Sequence, residues 1–195
     1  AVARDRLSFT EQLTWVANGG DEWARERRDI AVHSVEPDEG AWVLDWGIEL
    51  TNVRDTPLEF GSPTTAGREM AGYTGLHWRG PRDFGGGTVL GPGDLGGEAM
   101  MGKQAPWLAF VGEHDGVDAH STLLFAHAPE NDKAIHESHW FVRAGDQPMV
   151  AFSWAFFEEF VLPPGESFAY RYRIVVADGA WDRDRVTRYL GNHEF

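Results

Sequence analysis

A chain of 195 residues with 17 basic and 31 acidic side chains carries a formal net charge of -14 at pH 7, which repels nucleic-acid phosphate and anionic lipid headgroups alike. The length suits one domain with a substantial core rather than two independent ones. There is no cysteine, so disulfide frameworks and thiolate metal sites are excluded, and no apolar run approaches the roughly 20 residues that span a bilayer.

The chain begins at Ala1 with no basic-then-apolar leader, which reads as a processed chain or an excised piece. A soluble, cytoplasmic protein is expected, with no nucleic-acid or membrane partner. Nine tryptophans and twelve phenylalanines suit a sugar-binding or deep-pocket protein, and a thick all-β core would use them equally well.

In chain order, the first expected strand is Leu7 to Trp15, with Leu7, Phe9, Leu13 and Trp15 on one face. Turns at Asn18 to Gly20 ("NGG") and Glu36 to Gly40 ("EPDEG") bound a second strand, Glu22 to Val35. In "GAWVLDWGIELTN" the apolar residues Trp42, Leu44, Trp46, Ile48 and Leu50 alternate with Asp45, Gly47, Glu49 and Thr51, predicting a strand with one buried face. From Gly61 to Lys103, which holds 13 of the 23 glycines, long loops around one or two short strands are expected. Its Met70, Tyr73, Trp78, Met100 and Met101 argue for order there, because solvated linkers carry few such residues.

Further strands are expected at Trp107 to Val111, Ser121 to Ala126, Ser138 to Val142 and Val150 to Leu162. After a turn in "LPPGES", "ESFAYRYRIVVADG" places Phe168, Tyr170, Tyr172, Ile174 and Val176 on one face, opposite Arg171 and Arg173. One helix is expected in "WDRDRVTRYLG", capped by Asp182, with Val186, Tyr189 and Leu190 as its apolar stripe and Gly191 as its end. About eight strands and a short C-terminal helix predict an all-β antiparallel β-sandwich, a single domain over residues 1–195.

Three clusters could carry chemistry. In "GYTGLHWRGPRDFGGG", a strand from Tyr73 to Arg79 would project His77 and Arg79 to one face and Trp78 to the other, with Arg82 folding back after Gly80-Pro81. Two neighbouring guanidiniums call for carboxylates: either the chain's own acids, Asp83 and Glu69 being nearest, or a ligand's oxygens. In "FAHAPENDKAIHESHWFVR", His127 and His139 are expected at adjacent strand ends, near Glu130, Asn131, Trp140 and Arg143. Such histidines could be solvated loop residues, a general acid or base, or metal ligands, although their spacing matches no standard zinc signature. In "AFSWAFFEEFVLPPG", continued alternation would turn Glu158 inward with Trp154 and Phe156, where desolvation suits a general base. Glu98, in "GGEAMMGKQAPW", adds a weaker candidate. No G-x-S-x-G, P-loop or H-E-x-x-H pattern occurs, and "GDLGGE" lacks the context of a dinucleotide fingerprint.

Together, "GYTGLHWRGPRDF", "GGEAMMGKQAPWLAF", "HAPEN" followed by "HWFVR", and "LPPGESFAYRYRIVVADG" resemble the PmoA-like domain of unknown function, labelled methane oxygenase PmoA, over most of Leu7 to Asp184. That label describes a membrane-bound monooxygenase, whose spanning helices this chain does not contain. The resemblance implies a galactose-mutarotase-like β-sandwich and a role in bacterial sugar metabolism. The chain lacks the family's N-terminal "HHxG"-like and "NFWG"-like segments, so a shortened member or a missing portion is expected. It also carries His77 where an aromatic is typical.

The expected function is therefore carbohydrate binding, or acid/base chemistry on a sugar or oxidised glycoside: epimerisation, mutarotation, or a lyase or hydrolase step. His139 would be the acid, Glu158 the base, and Arg79 the group polarising a carbonyl or ring oxygen. His77, Trp78, Arg82, Glu98, His127, Glu130, Asn131, Trp140 and Arg143 would bind substrate, with Trp78 or Trp140 stacking on a pyranose. No metal or cofactor belongs to this reading. The alternatives are a non-catalytic accessory subunit, self-associating or completed by a partner chain, and a metal-dependent enzyme built on the histidines.

Overall fold

The computed structural model describes residues 6–134 and 136–195. Twelve strands follow one another: β1 (Arg6–Val16), β2 (Glu22–Glu36), β3 (Ala41–Asn52), β4 (Leu58–Phe60), β5 (Leu76–Arg79), β6 (Thr88–Leu90), β7 (Trp107–Glu113), β8 (His120–His127), β9 (His139–Arg143), β10 (Met149–Ser153), β11 (Phe160–Leu162) and β12 (Ser167–Asp178), with helix α1 (Arg183–Asn192) last. They form a seven-stranded sheet in the order β1-β2-β3-β12-β8-β7-β6, a three-stranded sheet β5-β10-β9 and a ribbon β11-β4. All the pairings are antiparallel.

The expected all-β sandwich is the observed fold. Leu50, Phe168, Tyr170, Tyr172, Phe125 and Phe110 of the large sheet share one core with Trp140, Val142, Val150 and Phe152 of the three-stranded sheet and Leu58, Phe160 and Leu162 of the ribbon. Alternation places these residues on one face of each strand, and burying both inner faces together is what closes the sandwich.

The opposite face of the large sheet is also covered, over part of its area. Val43, Val175, Leu124 and Ala109 pack against Trp181, Val186 and Tyr189 of the C-terminal segment. Asp182 caps α1, accepting a hydrogen bond from Arg185 N at 2.8 Å, and the helix runs one residue past the Gly191 expected to end it. Where helix cover gives out, the next registered pair is Asp45 and Arg173. Arg173 donates from Nε to Asp45 Oδ1 at 2.7 Å and from Nη2 to Oδ2 at 3.1 Å, with its own side chain 5% exposed.

The strand expected from Val150 to Leu162 is two strands in different sheets. Trp154, Ala155 and Phe156 are buried one after another, which no single-faced strand allows, so the chain leaves β10 at Ser153 and re-enters as β11. The glycines opposite permit this approach: a Cβ at Gly72 would run into the Phe156 ring, and one at Gly75 into the Phe152 carbonyl. Gly61 to Lys103 forms the expected loops around β5 and β6, with short 3-10 turns at Arg82–Phe84 and Gly97–Met100. Among the described residues, no helix is long and apolar enough to cross a membrane.

Candidate functional site

The three-stranded sheet has an outer face, and alternation decides what stands on it. In β5, Leu76 and Trp78 turn inward, leaving His77 and Arg79 outward; in β9, Trp140 and Val142 turn inward, leaving His139, Phe141 and Arg143 outward. Registration across the central strand β10 then aligns them. Arg79 and Arg143 both lie opposite Met149, His77 and Phe141 opposite Ala151, and His139 opposite Ser153. The two arginines are thus two ladder spacings apart, about 10 Å between backbones.

Neither arginine meets a carboxylate among the described residues, nor does Arg82. Six other arginines do, Arg25, Arg27, Arg28, Arg171, Arg173 and Arg185, while Arg6, Arg54, Arg68, Arg183 and Arg188 meet none among the described residues either. Asp83, the nearest acid in sequence, faces His114 at 3.8 Å instead. Arg143 lies over the Phe141 ring, 5.2 Å from its centroid. The turn carrying Arg82 is tied beside the β9–β10 connection by hydrogen bonds from Gly80 N to Pro148 O (2.9 Å) and Gly86 N to Ala144 O (2.6 Å).

His139 is half-buried between the rings of Phe156 and Phe157, and its Nδ1 is buried without a hydrogen-bond partner among the described residues. Burial lowers its pKa, Glu137 and Glu158 pull it up, and His136 pulls it down; the net direction is downward. The imidazole is therefore neutral near pH 7. His77 is also lowered, by burial and then by the charge of Arg79. Glu158 does not turn inward as alternation implied: it follows the bend after Phe156 and is exposed, close enough to act on His139 through its charge. Glu98 is likewise exposed and, with Met70, Met101, Arg143, Asp146 and Gln147, lines a groove of about 720 Å³ at one end of this face. Hydrogen bonds from Gly102 N to Trp140 O and from Trp140 N to Lys103 O, each 2.8 Å, hold that loop against β9.

The other expected residues lie elsewhere. Trp140 is fully buried and donates from Nε1 to Ala105 O at 2.9 Å. Trp78 packs against Phe84, Phe110 and Phe125. Both rings are given over to the core, so the sugar-stacking role expected of them is corrected. The rings exposed near the outer face are Tyr73, edge-on to Phe141, and Phe157, edge-on to His139. Sequence reasoning named Tyr73 only as a sign of order and passed over Phe157, although the latter adjoins Glu158.

His127 and His139 are not neighbours, because β8 and β9 belong to different sheets. His127 meets Trp140, Phe152 and Tyr172, with ring centroids 5.0, 4.8 and 5.7 Å away. That enclosure lowers its pKa to about 4. It borders a second hollow, of about 470 Å³, together with Gln104, Asn131, His136, Glu137 and Ser138. Asn131 is locked onto β12, donating to Arg171 O at 2.6 Å and accepting from Arg171 N at 2.9 Å, while Glu130 pairs with the Arg171 guanidinium. Among the described residues no group of three or more His, Cys, Asp or Glu side chains is placed to hold a metal ion.

The family model described as "Family of unknown function (DUF6807)" matches residues 1–191. No curated protein and no solved structure matches the chain.

Proposed function

We propose that this chain, which belongs to the family of unknown function DUF6807, binds an acidic or oxidised sugar on the outer face of the β5-β10-β9 sheet. The observation that carries this reading is the placement of Arg79 and Arg143 on one face opposite Met149, with no carboxylate partner for either among the described residues. Guanidiniums held on one rigid face, with the imidazoles of His77 and His139 beside them and Tyr73 and Phe157 at the margin, suit a ligand that is anionic at one end and apolar on one ring face. The PmoA-like resemblance and a galactose-mutarotase-like arrangement belong to the same reading, and the antiparallel sandwich supports them at the level of architecture.

If the site turns over a substrate, Arg79 polarises a carbonyl or ring oxygen while His139 and Glu158 move the proton. With its pKa lowered by burial, the neutral His139 is better suited to accept a proton than to give one, so the acid role expected for it passes to the base. Calorimetric titration with D-glucuronate, a 3-keto-glucoside and D-glucose tests the reading. The expected result is tighter binding of glucuronate than of glucose, weakened by salt and about tenfold by Arg79→Ala or Arg143→Ala. Affinity for glucuronate that neither substitution changes would remove the site.

A second reading, an assembly partner, has its own observation. β1 is an eleven-residue edge strand whose Leu7, Phe9 and Trp15 are 44%, 45% and 41% exposed. Long apolar edges are ones that folded proteins ordinarily cover. A single monomeric species in sedimentation analysis across a wide concentration range would count against self-association.

A further inference from the structure

We propose that the hollow beside His127 is a second binding site, separate from the arginine face, for an uncharged ligand presenting two adjacent hydroxyls, as a neutral hexose does. The hollow lies at the end of β8, where the large sheet meets the loop before β9, and its volume of about 470 Å³ is within the roughly 300–1,000 Å³ typical of small-molecule sites.

The hydrogen-bonding state of its polar groups follows from the contacts around them. Arg171 N donates to Asn131 Oδ1, which identifies the other end of the amide as Nδ2. That Nδ2 donates to Arg171 O and lies 3.4 Å from His127 Nδ1. A donor facing Nδ1 leaves the imidazole proton on Nε2. His127 therefore offers an N–H donor at Nε2, which has no partner among the described residues.

Acceptors stand on the same hollow. Gln104 Nε2 donates to Glu137 Oε2 at 2.7 Å, which leaves Gln104 Oε1 and Glu137 Oε1 without partners among the described residues. Ser138 Oγ is buried and unpartnered as well. A hydroxyl both donates and accepts, so one hydroxyl of a diol can accept from His127 while its neighbour donates to Glu137 or Gln104. Ala105, Pro106 and Ala134 add apolar contact area. An anion would oppose Glu137, and among the described residues that line the hollow there is no lysine or arginine to offset it. A neutral polyol fits this set better than a charged ligand does.

The test is nuclear magnetic resonance titration of the whole chain with D-galactose and D-glucose. Wild type is compared with His127→Ala, Glu137→Gln, Gln104→Ala and, as a control outside both sites, the exposed Glu166→Gln. The expected result is saturable millimolar binding with shifts centred on the residues of the hollow, weakened about tenfold or more by His127→Ala and several-fold by Gln104→Ala and Glu137→Gln, and unchanged within about twofold by Glu166→Gln. Gln104 and Glu137 are exposed rim residues, so their variants remain informative if His127→Ala fails to fold. No binding of either hexose up to about 50 mM overturns the proposal, as does binding indifferent to Gln104 and Glu137 or with shifts centred on the β5-β10-β9 face. Because glucuronate binding at the arginine face is read separately, either site can fail while the other stands.

Discussion

Arg79 and Arg143 face each other across Met149 on one side of a three-stranded sheet, and neither meets a carboxylate among the described residues. Like charges on an exposed face add nothing to folding stability. Arg79→Ala is therefore expected to change unfolding free energy by no more than about 0.5 kcal/mol, and Arg143→Ala, which also gives up its place over the Phe141 ring, by no more than about 1 kcal/mol. Urea titration checks this, and a loss of several kcal/mol from either would mean that the side chain holds the fold rather than a ligand.

Arg173 is the opposite case. Removing one member of a largely buried ion pair leaves the other charged and uncompensated, so Arg173→Met or Asp45→Asn is expected to cost about 3–5 kcal/mol. Burial pushes the Asp45 pKa up, but the hydrogen bonds and charges of Arg173 and His33 outweigh that and hold it below the ordinary value of 3.8. A carboxylate lowered in the folded state contributes stability above its unfolded pKa and loses it as pH falls through the folded one. The Asp45→Asn variant should accordingly lose less stability than wild type on acidification below about pH 4.

His127 titrates with the same sign over a higher range. Its pKa is about 4 in the folded protein, against an ordinary 6.5, so the unfolded chain takes up the proton first and stability falls as pH drops from 6.5 toward 4. Between pH 7 and pH 4.5 this one group should cost wild type about 2 kcal/mol. A His127→Gln variant, compared by urea unfolding at both pH values, should show a loss smaller by that amount, and equal losses would contradict the enclosure of the ring.

Gly75 and Gly93 separate conformation from contact. Both have positive φ, +73° and +57°, but a Cβ at Gly75 would overlap the Phe152 carbonyl whereas one at Gly93 meets nothing. Gly93→Ala should cost only about 1 kcal/mol, the backbone penalty alone. Gly75→Ala should cost more than about 2 kcal/mol, because β5 and β10 must also shift apart. Thermal unfolding of the two variants checks the difference.

Period-two alternation was enough to show β3 and β12 and the parting of His77 and Arg79 from Trp78, flanking turns bounded β2, and the Asp182 cap with its apolar stripe marked the helix. These are local properties of a strand or a cap. Which layer a strand joins is not local. "HWFVR" carries apolar residues on both faces, so its pattern separates Trp140 from His139 without saying which one meets the core. For the same reason His127 and His139, close in sequence, end on different surfaces. The break after Ser153 was hidden because Trp154 and Phe156 keep the alternation going while Ala155 between them is buried too. The unpaired state of Arg79 could not be read at all, since any of 31 acids could have reached it, and only the packed geometry shows that none of the described ones does.

The large sheet has one more property, which concerns synthesis. The hydroxyls of Thr51 and Ser167 meet at 2.7 Å across the β3–β12 ladder, yet the two residues are 116 apart in the chain. At ribosomal rates of about 5–20 residues per second, β3 emerges roughly 6–23 s before the strand that will lie against it. Throughout that interval the β1–β2–β3 meander has one flank open and its apolar row uncovered, because the core that buries it is completed only by β12. The nascent chain, more than the finished sandwich, is the form in which this protein most needs shielding from aggregation.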